Sequence, residues 1–218
     1  MADIIEGVKP NRMELLKLRK RVVLAERGHR LLKEKRDALI SEFLSIAGSV
    51  RNVRREAESQ LAEAYEDLLA AQAIMGTGAV KEISWNTDQD LQVELRSRNI
   101  MGVTVPIIDI DNAQRTVVRR GYGLADTSSR LDDACSKMER ALEMVVKLAE
   151  VEETVRKLAL EVEKTKRRVN ALEYIVMPKL TVTVKYIRMR LDEIERESFT
   201  RLKKIRAILE AQSAEAAE

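Results

Sequence analysis

Between Pro10 and Pro106 the chain contains no proline. Over most of that interval apolar or small residues recur at alternating steps of three and four. They are Leu15, Leu18, Val22 and Ala25, then Leu32, Leu39, Phe43, Ile46, Val50, Val53 and Ala57. His29 and Arg36 fill two positions of the same stripe. After Ala57 the step is four again, to Leu61, Ala64, Leu68 and Ala71, a stutter that locally relaxes a left-handed supercoil. So narrow a stripe over many heptads suits a coiled-coil seam better than a globular core. Asn11 can cap the helix, and Glu14 can reach back to the cap's amide. Gly76 and Gly78 end it. The predicted helix, from about Asn11 to about Met75, would be roughly 100 Å long.

A second stripe occupies the C-terminal part, from about Ser129 to about Gln212. It runs through Met138, Ala141, Val145, Leu148, Val155, Val162, Val169, Leu172 and Val176. It continues through Val184, Ile187, Leu191, Ile194, Leu202, Ile205 and Leu209. Ser129 with Asp132 resembles a capping box. Pro178 and the run Leu180–Val184 read locally as a breaker followed by a strand. The stripe resumes in phase beyond them, so the expectation is a kinked helix.

Residues between the stripes have other chemistry. Ala79–Trp85, Leu91–Ser97 and Gly102–Ile108 are short β-prone runs. Leu91, Val93 and Leu95 alternate with polar residues, the period of a half-buried strand. Ser97–Gly102 is the expected hairpin turn, Pro106 marks an edge strand, and Trp85 is expected in the core of this head.

Neither helix can bury its stripe alone. The predicted fold is therefore all-α dominated: a long antiparallel two-helix coiled coil with a small β-hairpin-containing head in the middle. Residues 1–76 form the N-terminal long helix, 77–128 the head, 129–212 the C-terminal long helix and 213–218 a frayed tail. The expected molecule is a rod.

Composition narrows the chemistry. Aromatics are 3% of the 218 residues, thin for a globular core. One Cys excludes an internal disulfide and a cysteine zinc site, and one His excludes a multi-histidine metal site. Gly76-Thr-Gly78 lacks the lysine and spacing of a phosphate loop. No apolar run is long enough to span a membrane, and Met1–Pro10 lacks a signal-peptide core, so the reading is soluble and intracellular. Cys135 is expected to be a small seam residue with an inert thiol, and His29 a packed or register-setting polar residue.

Charge is unevenly distributed. Lys9–Arg36 holds eleven Lys or Arg against three acids, and Lys185–Arg206 holds eight against four. Glu56–Glu94 holds nine acids and one base, Lys81. A chain basic at one end and acidic elsewhere suggests insertion into an acidic lining, or binding to phosphate or anionic lipid.

Three stretches carry a resemblance. They are Pro10-Asn-Arg12 through Gly28-His-Arg-Leu-Leu-Lys-Glu-Lys-Arg-Asp37, then Arg98-Asn-Ile-Met-Gly-Val103 with Val105-Pro106, then Arg168-Val-Asn-Ala-Leu-Glu-Tyr174 with Pro178 and Lys185–Glu193. Together they resemble the D subunit, the central-stalk rotor component of archaeal and vacuolar-type rotary ATPases, over nearly the whole chain. Asn11 stands where the family has Thr; both can cap.

The resemblance implies a curved antiparallel coiled coil whose terminal end stands inside a hexamer of catalytic and nucleotide-binding subunits. It implies a small central-stalk partner, the F subunit, on the lower part. It also implies a foot on a funnel-shaped subunit above the membrane ion-translocating ring, on the cytoplasmic side. Such a shaft transmits torque for ATP synthesis coupled to proton or sodium transport, binds no cofactor, nucleic acid or metal, does not insert into the membrane and performs no bond chemistry. Arg12, Lys17, Arg19, Lys20, Arg188, Arg190 and Arg201 are the expected contacts with the hexamer lining, because the terminal half is net positive.

Two other readings use the same charges. A basic coiled-coil protein could bind nucleic acid, although aromatics for base stacking are scarce and acids share the basic helices. A curved membrane-binding dimer would need a basic face along its whole length, and the acidic part argues against it.

Overall fold

The computed structural model describes residues 5, 7–87, 91–111, 113–115, 120–123 and 127–215, with backbone alone for 210–215. Helix α1 spans Arg12–Met75 and α2 spans Thr77–Asn86. Strands β1 (Gln92–Ile100) and β2 (Val103–Asp111) follow. Helix α3 (Ser129–Ala171) runs through a π-helical segment, Leu172–Val176, into α4 (Met177–Glu215). The fold is helix-dominated with one antiparallel hairpin between two long helical stretches, as the stripes predicted. The chain divides into two compact units, Asp37–Glu163 and Met1–Arg36 with Lys164–Glu218.

Within Asp37–Glu163, α1 and α3 run antiparallel: Arg54 meets Glu152, and further along α1 Asp67 meets Lys137. Alanines set the spacing. Ala57, Ala64 and Ala71 on α1, and Ala134 and Ala141 on α3, are fully buried at heptad intervals. Side chains this small let helix axes approach toward the short end of the usual 8–10 Å range. At one end Leu39 and Leu158 pack with Val103 and Val105 of β2. At the other Ala71, Val80 and Leu131 form a second cluster, with Leu68, Met75, Ile83 and Cys135 around it.

The head differs from its prediction in four places. Residues Ala79–Trp85 belong to α2, because Val80 and Ile83, three apart, share one packed helical face. Trp85 is not core: it is 73% exposed, with the Lys81 ammonium 5.5 Å from its ring centroid one turn away. The turn is tighter than expected, only Met101 and Gly102, at φ 51° and 87°. Two consecutive positive φ values are the signature of a two-residue hairpin loop matched to strand twist. Asn99 Oδ1 accepts the Gly102 amide at 2.7 Å and closes it. Finally, β1 is not half-buried: Val93 and Leu95 are 50% and 73% exposed. Burial falls on β2, whose Val103 and Val105 lie on the helices. That coverage explains why Leu158, off the predicted stripe, is fully buried; Val145, on the stripe, is more than a third exposed.

Arg120 and Tyr122, ahead of α3, are held by a polar cluster. The Arg120 guanidinium, 3% exposed, donates to both carboxylate oxygens of Glu139 at 3.1 Å, to Ser136 Oγ at 2.8 Å and to the Asp132 carbonyl at 3.2 Å. Tyr122 donates to Asp132 Oδ1 at 2.6 Å. Asp132 is thereby engaged elsewhere, and the cap of α3 is Ser128, whose Oγ accepts the Arg130 amide at 3.2 Å. The predicted Ser129–Asp132 box is replaced by this arrangement.

In the other unit α1 and α4 are again antiparallel: Arg12 meets Glu195, Leu18 packs with Leu180 and Ile187, and His29 faces Glu173. Val8 and Ile5, ahead of α1, pack on the same cluster, and the Ile5 amide donates to Thr183 Oγ1 at 3.1 Å. Leu180–Val184 is helical despite its β-branched residues. Thr181 and Thr183 donate their hydroxyls to the carbonyls of Met177 and Lys179, four back. Thr183 is thus fully buried with its hydroxyl satisfied. Pro178 sits in the first turn of α4, directly after the π segment.

Candidate docking surface

The Arg12–Glu195 pair marks where the two helices of this unit stop sharing a seam. Helix α1 begins at Arg12, where Asn11 Oδ1 accepts the Met13 amide, while α4 continues to Glu215. Every residue from Asp192 to Leu209 is exposed. The predicted stripe is therefore corrected here: Ile194, Leu202, Ile205 and Leu209 line no seam within the described residues. With Phe199 (70% exposed) and Ile208 they form an apolar surface at helical spacing. Arg196, Arg201, Lys203, Lys204 and Arg206 lie among them.

All seven basic residues expected at a partner surface are exposed, and they divide into two groups. Arg12 pairs with Glu195, Lys17 with Glu14 at 3.2 Å, Arg190 with Glu193 at 2.8 Å and Arg201 with Glu197 at 3.6 Å. Hydrogen bonding to Glu193 holds the Arg190 guanidinium above its ordinary range. Arg19, Lys20 and Arg188 pair with no carboxylate among the described residues. Arg12, Arg19 and Arg188 line one groove of about 300 Å³ with Leu15, Leu16, Leu191, Asp192 and Glu195. Lys17, Lys20, Arg190 and Arg201 do not line it.

The division into units follows the charge. Residues 1–36 with 164–218 hold 24 basic and 13 acidic side chains, and residues 37–163 hold 15 and 23. The apolar surface of residues 194–209 was missed as a surface because the stripe alone does not reveal where a partner helix begins. The available signal was helix length: α1 has 64 residues, and α3, the π segment and α4 have 43, 5 and 39.

Among the described residues no group of three or more His, Cys, Asp or Glu could hold a metal ion, and no helix is long and apolar enough to cross a membrane. Among the described residues, the geometry comprises two long helical stretches and an exposed apolar and basic surface on α4. The chain belongs to the ATP synthase D-subunit family, whose family model matches residues 14–207. It is similar to the A-type ATP synthase D subunit of Pyrococcus furiosus, 52% identical over 97% of this chain and 98% of that protein. The Methanobrevibacter smithii protein of the same name is 50% identical over 99% of this chain and 94% of its own length. The Thermococcus kodakarensis one is 48% identical over 98% and 99%.

Proposed function

We propose that this chain is the non-catalytic central rotor shaft of an A-type ATP synthase, carrying torque between the membrane ion-translocating ring and the catalytic hexamer. The observation that carries the reading is the exposed end of α4, an apolar surface flanked by basic residues beyond the first turn of α1. Such an end is stable in water only as a compromise, and a lumen with apolar and acidic walls satisfies both its components. Family membership supports the assignment to an ATP synthase complex.

A shaft must turn past several equivalent walls without sticking. Exposed ion pairs are worth about 0–1 kcal/mol each, so Arg12, Lys17, Arg190 and Arg201 can exchange their own carboxylates for those of a wall at little cost. Arg19, Lys20 and Arg188 have no such pair to give up among the described residues. The small F subunit binds elsewhere on the chain, a funnel-shaped subunit receives its other end, and the assembly is peripheral on the cytoplasmic face. Either protons or sodium ions drive it, since the membrane ring selects the ion.

The test is reconstitution of the chain with the hexamer and the F subunit, followed by ion-driven ATP synthesis and by rotation of single complexes. A chain with Arg19, Lys20 and Arg188 all changed to Glu is expected to assemble but to synthesise ATP at a small fraction of the native rate. Synthesis and rotation at the native rate would remove the proposal.

A further inference from the structure

The seam of the unit containing α4 is interrupted, and four features coincide at the interruption. Ahead of it Thr165 and Val169 are buried, and after it Leu180, Thr183 and Ile187 are buried. Between Val169 and Leu180 no residue is. On α1 no residue between Leu18 and the unit's edge at Arg36 is buried either. So about three turns of paired helix hold no fully buried side chain.

The first feature is the π segment itself, Leu172–Val176, with no buried residue and with Tyr174 71% exposed. The Met177 amide donates five residues back, to the Leu172 carbonyl. The second is Pro178, which has no amide to continue the ladder and whose ring crowds the carbonyl four residues back, that of Tyr174. A widened turn just before a proline relieves that crowding at the expense of regular hydrogen bonding. The third is Gly28 on α1, around which a methyl group would meet nothing within 4 Å. Gly28, Leu24, Ala25, Leu172, Ile175 and Val176 accordingly border an open groove of about 540 Å³ rather than a packed seam. The fourth is His29, a polar residue on the apolar stripe, whose Nε2 lies 3.4 Å from Glu173 of the π segment.

We propose that Leu172–Val176, with Pro178 behind it and Gly28 and His29 facing it, is a built-in compliant joint in the C-terminal helix. Local opening is easiest where buried apolar contacts are few and backbone bonds are irregular, and both conditions hold here and not in the turns on either side. A glycine inside a helix costs about 1 kcal/mol and an interior proline about 3 kcal/mol relative to alanine. Placing both at one level concentrates the weakness there. Bending or twisting strain on this unit is taken up at this level, while the turns around Val169 and Ile187 keep their packing.

Native-state hydrogen exchange on the full-length chain tests the joint. Amides of residues 171–179 are expected to exchange at least ten-fold faster than those of 160–169 and 184–191. Pro178→Ala and Gly28→Ala both favour regular helix and keep the chain folded. Each is expected to slow exchange at 171–179 several-fold and leave the flanks unchanged. His29→Leu, which continues the apolar stripe, is expected to slow it as well. Equal protection across 160–191 in the native chain overturns the proposal. So does fast exchange at 171–179 that none of the three substitutions slows.

Discussion

Arg120 shows how much one buried charge can organise. Its guanidinium is almost fully enclosed, and five polar contacts on α3 receive it. Burial works against the charge, but hydrogen bonds to Glu139 and to Tyr122 hold the group above its ordinary range. The physical reason is that a buried ion pair without its partner leaves an uncompensated charge, which costs about 3–5 kcal/mol. Arg120→Met is therefore expected to destabilise the chain by about that amount, measured as a lower urea midpoint at unchanged slope. Arg120→Met combined with Glu139→Leu should recover most of the loss. Beside this cluster, burial pushes the Cys135 thiol and the Tyr122 phenol up, with the hydrogen bond to Asp132 adding to the latter. Both groups are neutral when protonated, so the folded state holds their protons more tightly than the unfolded state. The thiol's contribution to stability is fully present below its ordinary value of about 9, the phenol's below about 10, and each is lost as pH rises above that value. Urea midpoints should fall as pH rises above about 9, and Cys135→Ser should remove the part of that fall that begins below about pH 10. The same cause makes Cys135 a slow target. Iodoacetamide is expected to alkylate it several-fold more slowly in the native chain than in urea at pH 8.

At the scale of elements, the hairpin turn is a place where one residue conflicts with its backbone. Met101 stands at φ 51°, a conformation that L side chains adopt at a cost of about 1–3 kcal/mol. Gly102 beside it, at φ 87°, does not incur that cost. Met101→Asn or Met101→Gly should raise stability by about 0.5–1 kcal/mol, read from urea unfolding. Gly102→Ala should lower it by at least as much. The Asn99 side chain that closes the turn was visible in the sequence as a turn former, and so was Gly102. The two-residue length of the loop was not, because strand length depends on how far β2 can lie on Leu39 and Leu158. The seam of α1 with α4 gives a contrasting case. Leu18 and Ile187 are buried as their spacing required, and Leu18→Ala or Ile187→Ala is expected to cost about 2–5 kcal/mol.

For the whole molecule, the proposed function places stability and docking in different residues. Residues 199–209 are all exposed, so a chain ending at Ser198 should melt within about 2 °C of the full-length one. The same truncation is expected to abolish ion-driven ATP synthesis in the reconstituted complex. A normal melting curve with lost synthesis separates docking from folding. The charge partition adds a salt dependence. The unit that includes α4 has an excess of eleven basic side chains, and its attraction to an acidic wall is screened within about 8 Å at physiological ionic strength. Assembly with the hexamer should weaken severalfold between about 50 and 500 mM salt, measured by co-sedimentation.

Periodicity alone determined that this chain makes two long helical stretches flanking a hairpin, since a stripe at steps of three and four has no other economical burial. The motifs in the start, middle and end of the chain also disclosed its family before any coordinate. Local spacing does not carry register, and register is what the tertiary structure decided. It made Glu195 the partner of Arg12, so Ile194, Leu202, Ile205 and Leu209 became surface rather than seam. It laid β2 on Leu158 and left Leu95 in water, and it set His29 across from a π segment that nothing in the stripe foretold. A side chain's burial depends on what lies opposite it, and what lies opposite is contributed by residues far away in the chain.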